Sequence, residues 1–286
     1  MFSLGKWITQ RFTDWLTYEP ERSDKTPCLT NYERLCDEIR PGDIILVEGR
    51  SRVSNIIKLI TQSPWTHSVL YLGNYHDLNM VGLAPASISK YALTPHTRLV
   101  IEALLGEGTI VSTLNKYRYE HLRICRPRSI TIRDRNKVIQ HTIRKIGHQY
   151  DIRQLADLAR FLLPYSLIPR RWRSSLFRYH AGDSTKTICS SMLAEAFISV
   201  NYPVLPVIEH TDQGLRFYKR NTKLFVPKDF DYSPYFDIIK YPFIGLDEVA
   251  AYRSLPWDEE GYVCNEEGDC SIPLTKKSDE EELSPQ

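Results

Sequence analysis

The 286-residue chain lacks any long apolar run. No stretch approaches the ~18 residues that a helix needs to cross a bilayer. The N-terminus also lacks an uninterrupted apolar segment followed by a small-residue cleavage site, so no secretory signal is recognised. The sequence therefore predicts a protein of the cytoplasm, or one bound peripherally to the cytosol-facing side of a membrane.

Cysteine is scarce and shows no pairing pattern. The six cysteines include no CxxC pair and fall far short of the density of a disulfide scaffold. Most of them are expected to be reduced, as in a cytosolic protein. We predict no bound metal and no cofactor.

Charge is nearly balanced in total but unevenly distributed. The formal net charge is +2, yet residues 118–178 are strongly basic and residues 257–286 strongly acidic. The basic region is a candidate anion-facing surface. Both runs are equally compatible with ordinary solvated faces. No nucleic-acid partner is expected.

Two segments are candidates for contact with an anionic membrane surface. Residues 1–19 form a predicted helix with a helical stripe of large apolar side chains. The stripe consists of Leu4, Ile8, Phe12, Trp15 and Leu16. It resembles an interfacial helix, although a helix docked on the protein's own core fits the pattern equally well. The second segment, residues 161–178, is basic and aromatic.

Composition divides the chain into four predicted parts. Residues 1–30 are an amphipathic helix and a polar linker, and residues 31–200 carry the alternating strands and helices of the main domain. Residues 201–270 are an extension expected to wrap that core. Residues 271–286 form an acidic tail that is predicted to be disordered.

The most informative stretch is Thr187-Ile188-Cys189-Ser190-Ser191, followed by an amphipathic helical pattern. Cys189 is thus predicted to stand at a helix N-terminus, where unpaired N–H groups and the helix dipole favour a thiolate. A thiolate attacks carbonyl groups. A buried cysteine that only packs as a small apolar residue is the simpler alternative.

Two further residues complete a candidate catalytic set. His67 begins an apolar strand, and imidazole is the usual general base for a thiol. Glu102 lies in the next apolar strand, Arg98-Leu99-Val100-Ile101-Glu102-Ala103, where a carboxylate needs a partner. A histidine on the neighbouring strand is the obvious partner, although a lone strand histidine is often only structural.

The order of these motifs resembles a known family. The elements are Pro-Gly-Asp before an apolar strand, His-Ser before a strand ending in Gly, Ile-Glu-Ala, Gly-x-x-Tyr-Asp, and Cys-Ser before a helix. They resemble the permuted papain-like cysteine hydrolases of the NlpC-type superfamily, in particular the YiiX/YebB-like group. Lecithin:retinol acyltransferase-like enzymes share the permutation, in which the histidine precedes the cysteine.

The resemblance implies a fold, a mechanism and site residues. The fold is α+β, a small antiparallel sheet with the cysteine helix packed against it. Cys189 matches the nucleophile, His67 the general base and Glu102 the carboxylate that orients the base. Tyr150 matches a tyrosine near the active site, Asp43 a structural turn residue, and Trp65 and Ser190 are further predicted substrate contacts.

Three functions remain open from the sequence. The first is hydrolysis of an amide bond in a peptide or peptidoglycan-like molecule through an acyl-enzyme thioester. The second is hydrolysis or transfer of an acyl group of a lipid at a membrane surface, as in the lecithin:retinol acyltransferase-like enzymes. The third is an inert, membrane-associated binding module.

Overall fold

The structure is a computed structural model that describes residues 4–20, 28–83, 88, 94–148, 189–246, 248–255, 257, 263–264 and 270–271. The chain divides into two compact units. The first comprises Met1–Pro20 and Cys28–Phe243, and the second comprises Glu21–Pro27 and Ile244–Gln286.

The first unit contains helices and strands in alternation. The described α-helices are α1 (Leu4–Thr17), α2 (Tyr32–Glu38), α3 (Arg52–Thr61), α4 (Tyr75–Met80), α5 (Ile132–Ile143), α6 (Cys189–Ser199) and α7 (Lys228–Tyr232). The described strands are β1 (Ile44–Glu48), β2 (His67–Asn74), β3 (Arg98–Leu104), β4 (Gly108–Thr113), β5 (His121–Pro127), β6 (Val207–Thr211), β7 (Gly214–Tyr218) and β8 (Phe236–Ile239). Short 3-10 helices cover Leu114–Tyr117 and Thr222–Leu224.

Six strands form one antiparallel sheet in the order β4-β3-β2-β1-β5-β8. β6 and β7 form a separate hairpin. The predicted α+β class with an antiparallel sheet is confirmed. The predicted histidine strand β2 is bordered by β1 and by the glutamate strand β3, so the two candidate residues lie on adjacent strands.

Alternation along the strands gives the sheet two buried faces. One face joins α5 and α6 through a core that contains Leu46, Leu70 and Ile101. The other face packs against α2 and the 3-10 helix Leu114–Tyr117 through residues such as Val69 and Val100. The sheet is therefore the middle layer of this unit.

α6 is buried along most of its length, which explains its apolar sequence. Met192, Leu193, Ala196 and Phe197 all belong to the core shared with the sheet. The Phe197 ring packs edge-on against Phe236 of β8, with 5.5 Å between ring centroids. Packing on both sides fixes the helix against the sheet and so fixes the position of its first residue, Cys189.

The turn before β1 explains the Pro-Gly-Asp motif. Gly42 has a φ of +90°, a left-handed conformation that favours glycine. The buried Asp43 carboxylate accepts two hydrogen bonds from Arg126 Nε and Nη2, at 3.0 and 2.8 Å, and one from the Arg40 backbone N–H. The structure thus gives Asp43 the structural role that the family resemblance implies.

The C-terminal half of α1 is docked on the protein. Leu16 is 4% exposed and Thr13 is also buried, and α1 packs against α3. On the same helix Trp7 is 61% exposed and Trp15 is 51% exposed, with the Arg52 guanidinium 4.9 Å from the Trp15 ring centroid. One part of the predicted apolar stripe therefore packs on the core, whereas another faces outward.

Among the described residues, no helix is both long enough and apolar enough to cross a membrane. The second predicted membrane segment, residues 161–178, lies outside the described residues.

The second unit contains the short strands β9 (Val263–Cys264) and β10 (Cys270–Ser271), which pair antiparallel, and a 3-10 helix at Ala251–Ser254. The predicted tail beyond Ser271 lies outside the described residues. The predicted boundary at residue 200 stays a prediction, and residues 201–243 belong to the same compact unit as the sheet.

Candidate active site

The structure brings His67 and Glu102 together as the sequence predicts. His67 is the first residue of β2, and Glu102 lies near the end of β3. His67 Nε2 and Glu102 Oε2 are 2.9 Å apart. Because this contact occupies Nε2, His67 Nδ1 is the nitrogen that remains for the thiol.

Glu102 is fully buried and is surrounded by hydrogen-bond donors. Tyr117 Oη donates to the same oxygen as His67, while Ser112 Oγ donates to the other oxygen. Lys116 Nζ lies 3.1 Å from that second oxygen. Four donors from three adjacent elements thus compensate the loss of hydration of a buried carboxylate.

These partners keep Glu102 ionised. Burial by itself would raise the pKa of the carboxyl group. The hydrogen bond and charge of His67, the charge of Lys116 and the hydrogen bond from Ser112 outweigh burial and lower the pKa to about 2. At neutral pH, Glu102 is therefore an anion that can hold an imidazolium in place.

Cys189 is the first residue of α6, which confirms the predicted helix start. The backbone N–H groups of the first helical turn have no partner within the helix, and the dipole places partial positive charge there. The thiol is buried, and both His67 and Ser68 interact with it electrostatically.

The electrostatics of the pair favour thiolate and imidazolium. Burial would raise the pKa of the Cys189 thiol, but the charge and hydrogen bonding of His67, together with Ser68, lower it below the ordinary value. Burial would likewise lower the pKa of His67, but the negative Cys189 and Glu102 raise it to about 10. The described environment therefore stabilises the reactive form of a nucleophilic cysteine.

The pair opens into a cleft of about 310 Å³. Cys189, His67 and Tyr117 line it together with Thr17, which ends α1, and Val226, which precedes α7. Apolar side chains from α3 and the end of β3 form much of the remaining wall. A cleft of this size accommodates a chain segment or a small molecule next to the thiol.

The predicted substrate contacts have different surroundings. Ser190 lines the cleft, but its hydroxyl donates to the Phe225 carbonyl at 2.7 Å. Trp65 is only 2% exposed and stacks on His121 with 5.4 Å between ring centroids, so it has a packing role in the core. Tyr150 lies outside the described residues. Substrate contact by these three residues stays a prediction.

Sequence reasoning missed the donors Ser112, Lys116 and Tyr117. Ser112 lies two residues beyond the β4 partner of Glu102, Ile110, and so shares its face of the sheet. Lys116 and Tyr117 follow in the 3-10 helix after β4. The sequence contains one signal for these donors, the polar residues that follow the glutamate strand. That signal does not identify them without the pairing of β3 with β4.

Comparisons with known proteins agree with this architecture. Residues 38–159 match the model of the family described as permuted papain-like amidase enzymes, YaeF/YiiX, C92 family. This range includes His67 and Glu102. No curated protein matches the chain.

A search of solved structures finds a similar protein described as metalloprotein YiiX from Escherichia coli O157:H7. The identity is 14% and the TM-score is 0.43, over 71% of this chain and 97% of the other. In the described part of the present chain, no group of three or more His, Cys, Asp or Glu side chains could hold a metal ion.

The matched residues contain β2 with His67 and β3 with Glu102. The cysteine helix α6 lies after the matched range. Through residues 38–159, the chain is similar to the permuted papain-like amidases of the YaeF/YiiX family.

Proposed function

We propose that the protein is a cysteine hydrolase that cleaves an amide bond in a peptide or peptidoglycan-like molecule. The observation that carries this proposal is the position of His67 between two anionic groups. One ring nitrogen contacts the buried Glu102, and the charge of Cys189 at a helix start raises the pKa of the same ring. A purely structural histidine does not need this arrangement.

The proposed reaction begins with the thiolate. Cys189 Sγ attacks the amide carbonyl carbon, and the carbonyl oxygen becomes an oxyanion that the Cys189 backbone N–H stabilises. The His67 imidazolium then gives its proton to the leaving amine as the C–N bond breaks. Water, deprotonated by neutral His67, hydrolyses the resulting thioester and regenerates the thiolate.

Glu102 has a supporting role in this scheme. It fixes the ring orientation of His67 and stabilises the imidazolium without taking a proton itself. Its low pKa is consistent with this role, because the carboxylate stays ionised throughout the cycle. Tyr117, Ser112 and Lys116 in turn hold the carboxylate and are positioning residues.

A second candidate function is cleavage or transfer of a lipid acyl group. The outward-facing Trp7 and Trp15 support it, because both are carried by α1, whose last residue lines the cleft. Amphipathic aromatic rings are typical of membrane interfaces. The same thioester chemistry applies to an ester, with an alcohol as the leaving group.

Paired activity-based probes distinguish these functions. A peptide-amide probe and a lipid-ester probe of equal electrophilicity are compared on the full chain. The proposal expects preferential labelling of Cys189 by the amide probe and its loss in Cys189→Ser. Cys28→Ser is the matched control, because Cys28 is a half-buried cysteine that does not line the cleft.

Each outcome selects one function. Preferential labelling by the lipid probe supports the acyl-lipid function. If neither probe labels Cys189 and iodoacetamide also fails to alkylate it at neutral pH, the chain is an inert binding module.

A further inference from the structure

We propose that Glu19 and Glu107 give the catalytic cleft a negative charge that selects amide substrates with a cationic group beside the scissile bond. This inference rests on the proposed function and names its substrate class. The site is the cleft that holds Cys189 and His67, and the two carboxylates determine its charge.

Most charged groups that line the cleft are already neutralised by a neighbour. Glu120 is held by Arg50, with 2.9 Å between Nη2 and Oε1. Lys116 pairs with Glu102, and the charges of Cys189 and His67 cancel as a thiolate–imidazolium pair. These three pairs contribute no net charge to the described part of the cleft.

Glu19 and Glu107 are the exceptions among the described cleft residues. Both side chains are exposed, and neither makes an ion pair or hydrogen bond with another described residue. They come from different parts of the chain, Glu19 directly after α1 and Glu107 in the turn between β3 and β4. Counted over the described lining residues and their ion-pair partners, the cleft therefore has a formal excess of two negative charges.

The field of Glu19 extends to a residue that contacts the catalytic groups. The negative charge of Glu19 contributes to the raised pKa of Tyr117, which itself donates to Glu102. Glu19 therefore lies within electrostatic reach of the residues that surround Cys189. A cleft with low-dielectric walls and one sign of charge concentrates ligands of the opposite sign.

This charge favours one class of substrate over another. An ammonium or guanidinium group beside the scissile amide loses hydration when it enters the cleft. Charge-assisted hydrogen bonds to the two carboxylates compensate this loss. An anionic headgroup would instead be repelled from the same position. The substrate that fits is a peptide-like amide with a lysine-like or arginine-like side chain, or a free amine, next to the cleaved bond.

The first test uses thiol reagents that need no amide substrate. Cationic, neutral and anionic methanethiosulfonates of similar size react with full-length protein at low salt, and mass spectrometry of the Cys189 peptide gives each rate. The neutral reagent corrects for changes in thiol pKa. The wild type is expected to react about tenfold faster with the cationic than with the anionic reagent after this correction.

The variant Glu19→Gln/Glu107→Gln is expected to lose most of this ratio, and added salt should reduce it in the wild type. The control is Glu38→Gln, which removes an equally exposed carboxylate that does not line the cleft. A ratio that is the same in the double variant and the wild type overturns the inference, while the proposed function stands. If Cys189 reacts with none of the reagents, the proposed function fails and the inference with it.

The second test uses amide substrates. A matched pair of fluorogenic peptide amides differs only in a lysine or an acetyl-lysine next to the cleaved bond. The wild type should show a higher kcat/KM for lysine, and the double variant should shift the preference by a similar factor as in the thiol assay. Equal kcat/KM for both peptides in the wild type overturns the inference.

Discussion

At the scale of single residues, the site depends on compensating the cost of burial. Glu102, His67 and Cys189 all lie where burial alone disfavours their charged forms. Each is nevertheless stabilised as an ion, because the three are in contact and additional donors surround the carboxylate. A change at one member should therefore be measurable in the titration of another.

Replacing His67 by alanine should raise the pKa of the Cys189 thiol, because the imidazolium that stabilises the thiolate is lost. The measurement is the rate of iodoacetamide alkylation of Cys189 as a function of pH. The midpoint should move to higher pH in His67→Ala. An unchanged midpoint would show that His67 is structural and that another group activates the thiol.

Glu102 should also make folding stability sensitive to acid. Its pKa in the folded protein is about 2, against an ordinary value of 4.5. A carboxyl group with a lowered pKa adds stability that is fully present above the unfolded pKa and is lost as the pH falls through the folded pKa. The free energy of unfolding should therefore decrease between about pH 4.5 and pH 2.

The variant Glu102→Gln isolates this contribution. It should be less stable than the wild type at pH 7, and its free energy of unfolding should decline less steeply in the acid range. Urea denaturation at several pH values measures both effects, with Glu38→Gln as the exposed control. Parallel declines in Glu102→Gln and the wild type would contradict the assignment.

At the scale of helices and strands, the sequence predicted the elements better than their side-chain networks. The apolar strand predicted after Pro-Gly-Asp, which is β1, and the predicted starts of β2 and α6 agree with the structure. Apolar runs and alternation are local signals, and they locate each element directly. The donors to Glu102 could not be predicted, because they depend on the register between β3 and β4 and on the turn that follows.

The sequence also could not predict that part of α1 packs on the protein while another part is exposed. A stripe of apolar residues is the same whether it meets a membrane or a protein core. The structure shows Leu16 packed inside and Trp7 facing outward. These two residues can therefore separate folding from membrane binding experimentally.

We expect Leu16→Ala to reduce the free energy of unfolding by about 2–3 kcal/mol, because it removes a buried leucine. Trp7→Ala should leave the free energy of unfolding within about 0.5 kcal/mol of the wild type. If α1 contacts lipid, Trp7→Ala should instead reduce co-sedimentation with anionic vesicles. Chemical denaturation and sedimentation at low and high salt measure the two properties separately.

Retention of the wild-type protein in the supernatant with anionic vesicles at low salt would contradict membrane binding through this helix. It would also remove the support that the exposed Trp7 and Trp15 give to a lipid substrate. Co-sedimentation that requires anionic lipid and weakens with salt would support the peripheral location.

At the scale of the whole molecule, the core that supports the candidate site includes residues well beyond the cysteine helix. β8 is the edge strand beside β5, and Phe230 and Phe236 are buried in the core that also contains α6. Ser190, next to the nucleophile, donates to the Phe225 carbonyl. The segment after residue 200 therefore contributes directly to the position of the thiol.

Two truncations test this organisation. A chain that ends at Phe243 retains all of β8 and should unfold cooperatively, with wild-type reactivity of Cys189. A chain that ends at Val200 loses β8 and three buried phenylalanines, Phe225, Phe230 and Phe236, and should not fold stably. Thermal unfolding by circular dichroism and iodoacetamide labelling check both, and a cooperative, reactive chain ending at Val200 would contradict the prediction.

The hydrogen bond from Ser190 to the Phe225 carbonyl also has a consequence while the ribosome makes the chain. The ribosome makes Cys189 well before it makes Phe225 and β8, and at about 5–20 residues per second the interval is several seconds. Until those residues emerge, α6 lacks part of the core that holds it against β2, and the thiol lacks the imidazolium that lowers its pKa. We therefore expect Cys189 to react as an ordinary cysteine until the segment through β8 has emerged from the ribosome and packed against α6.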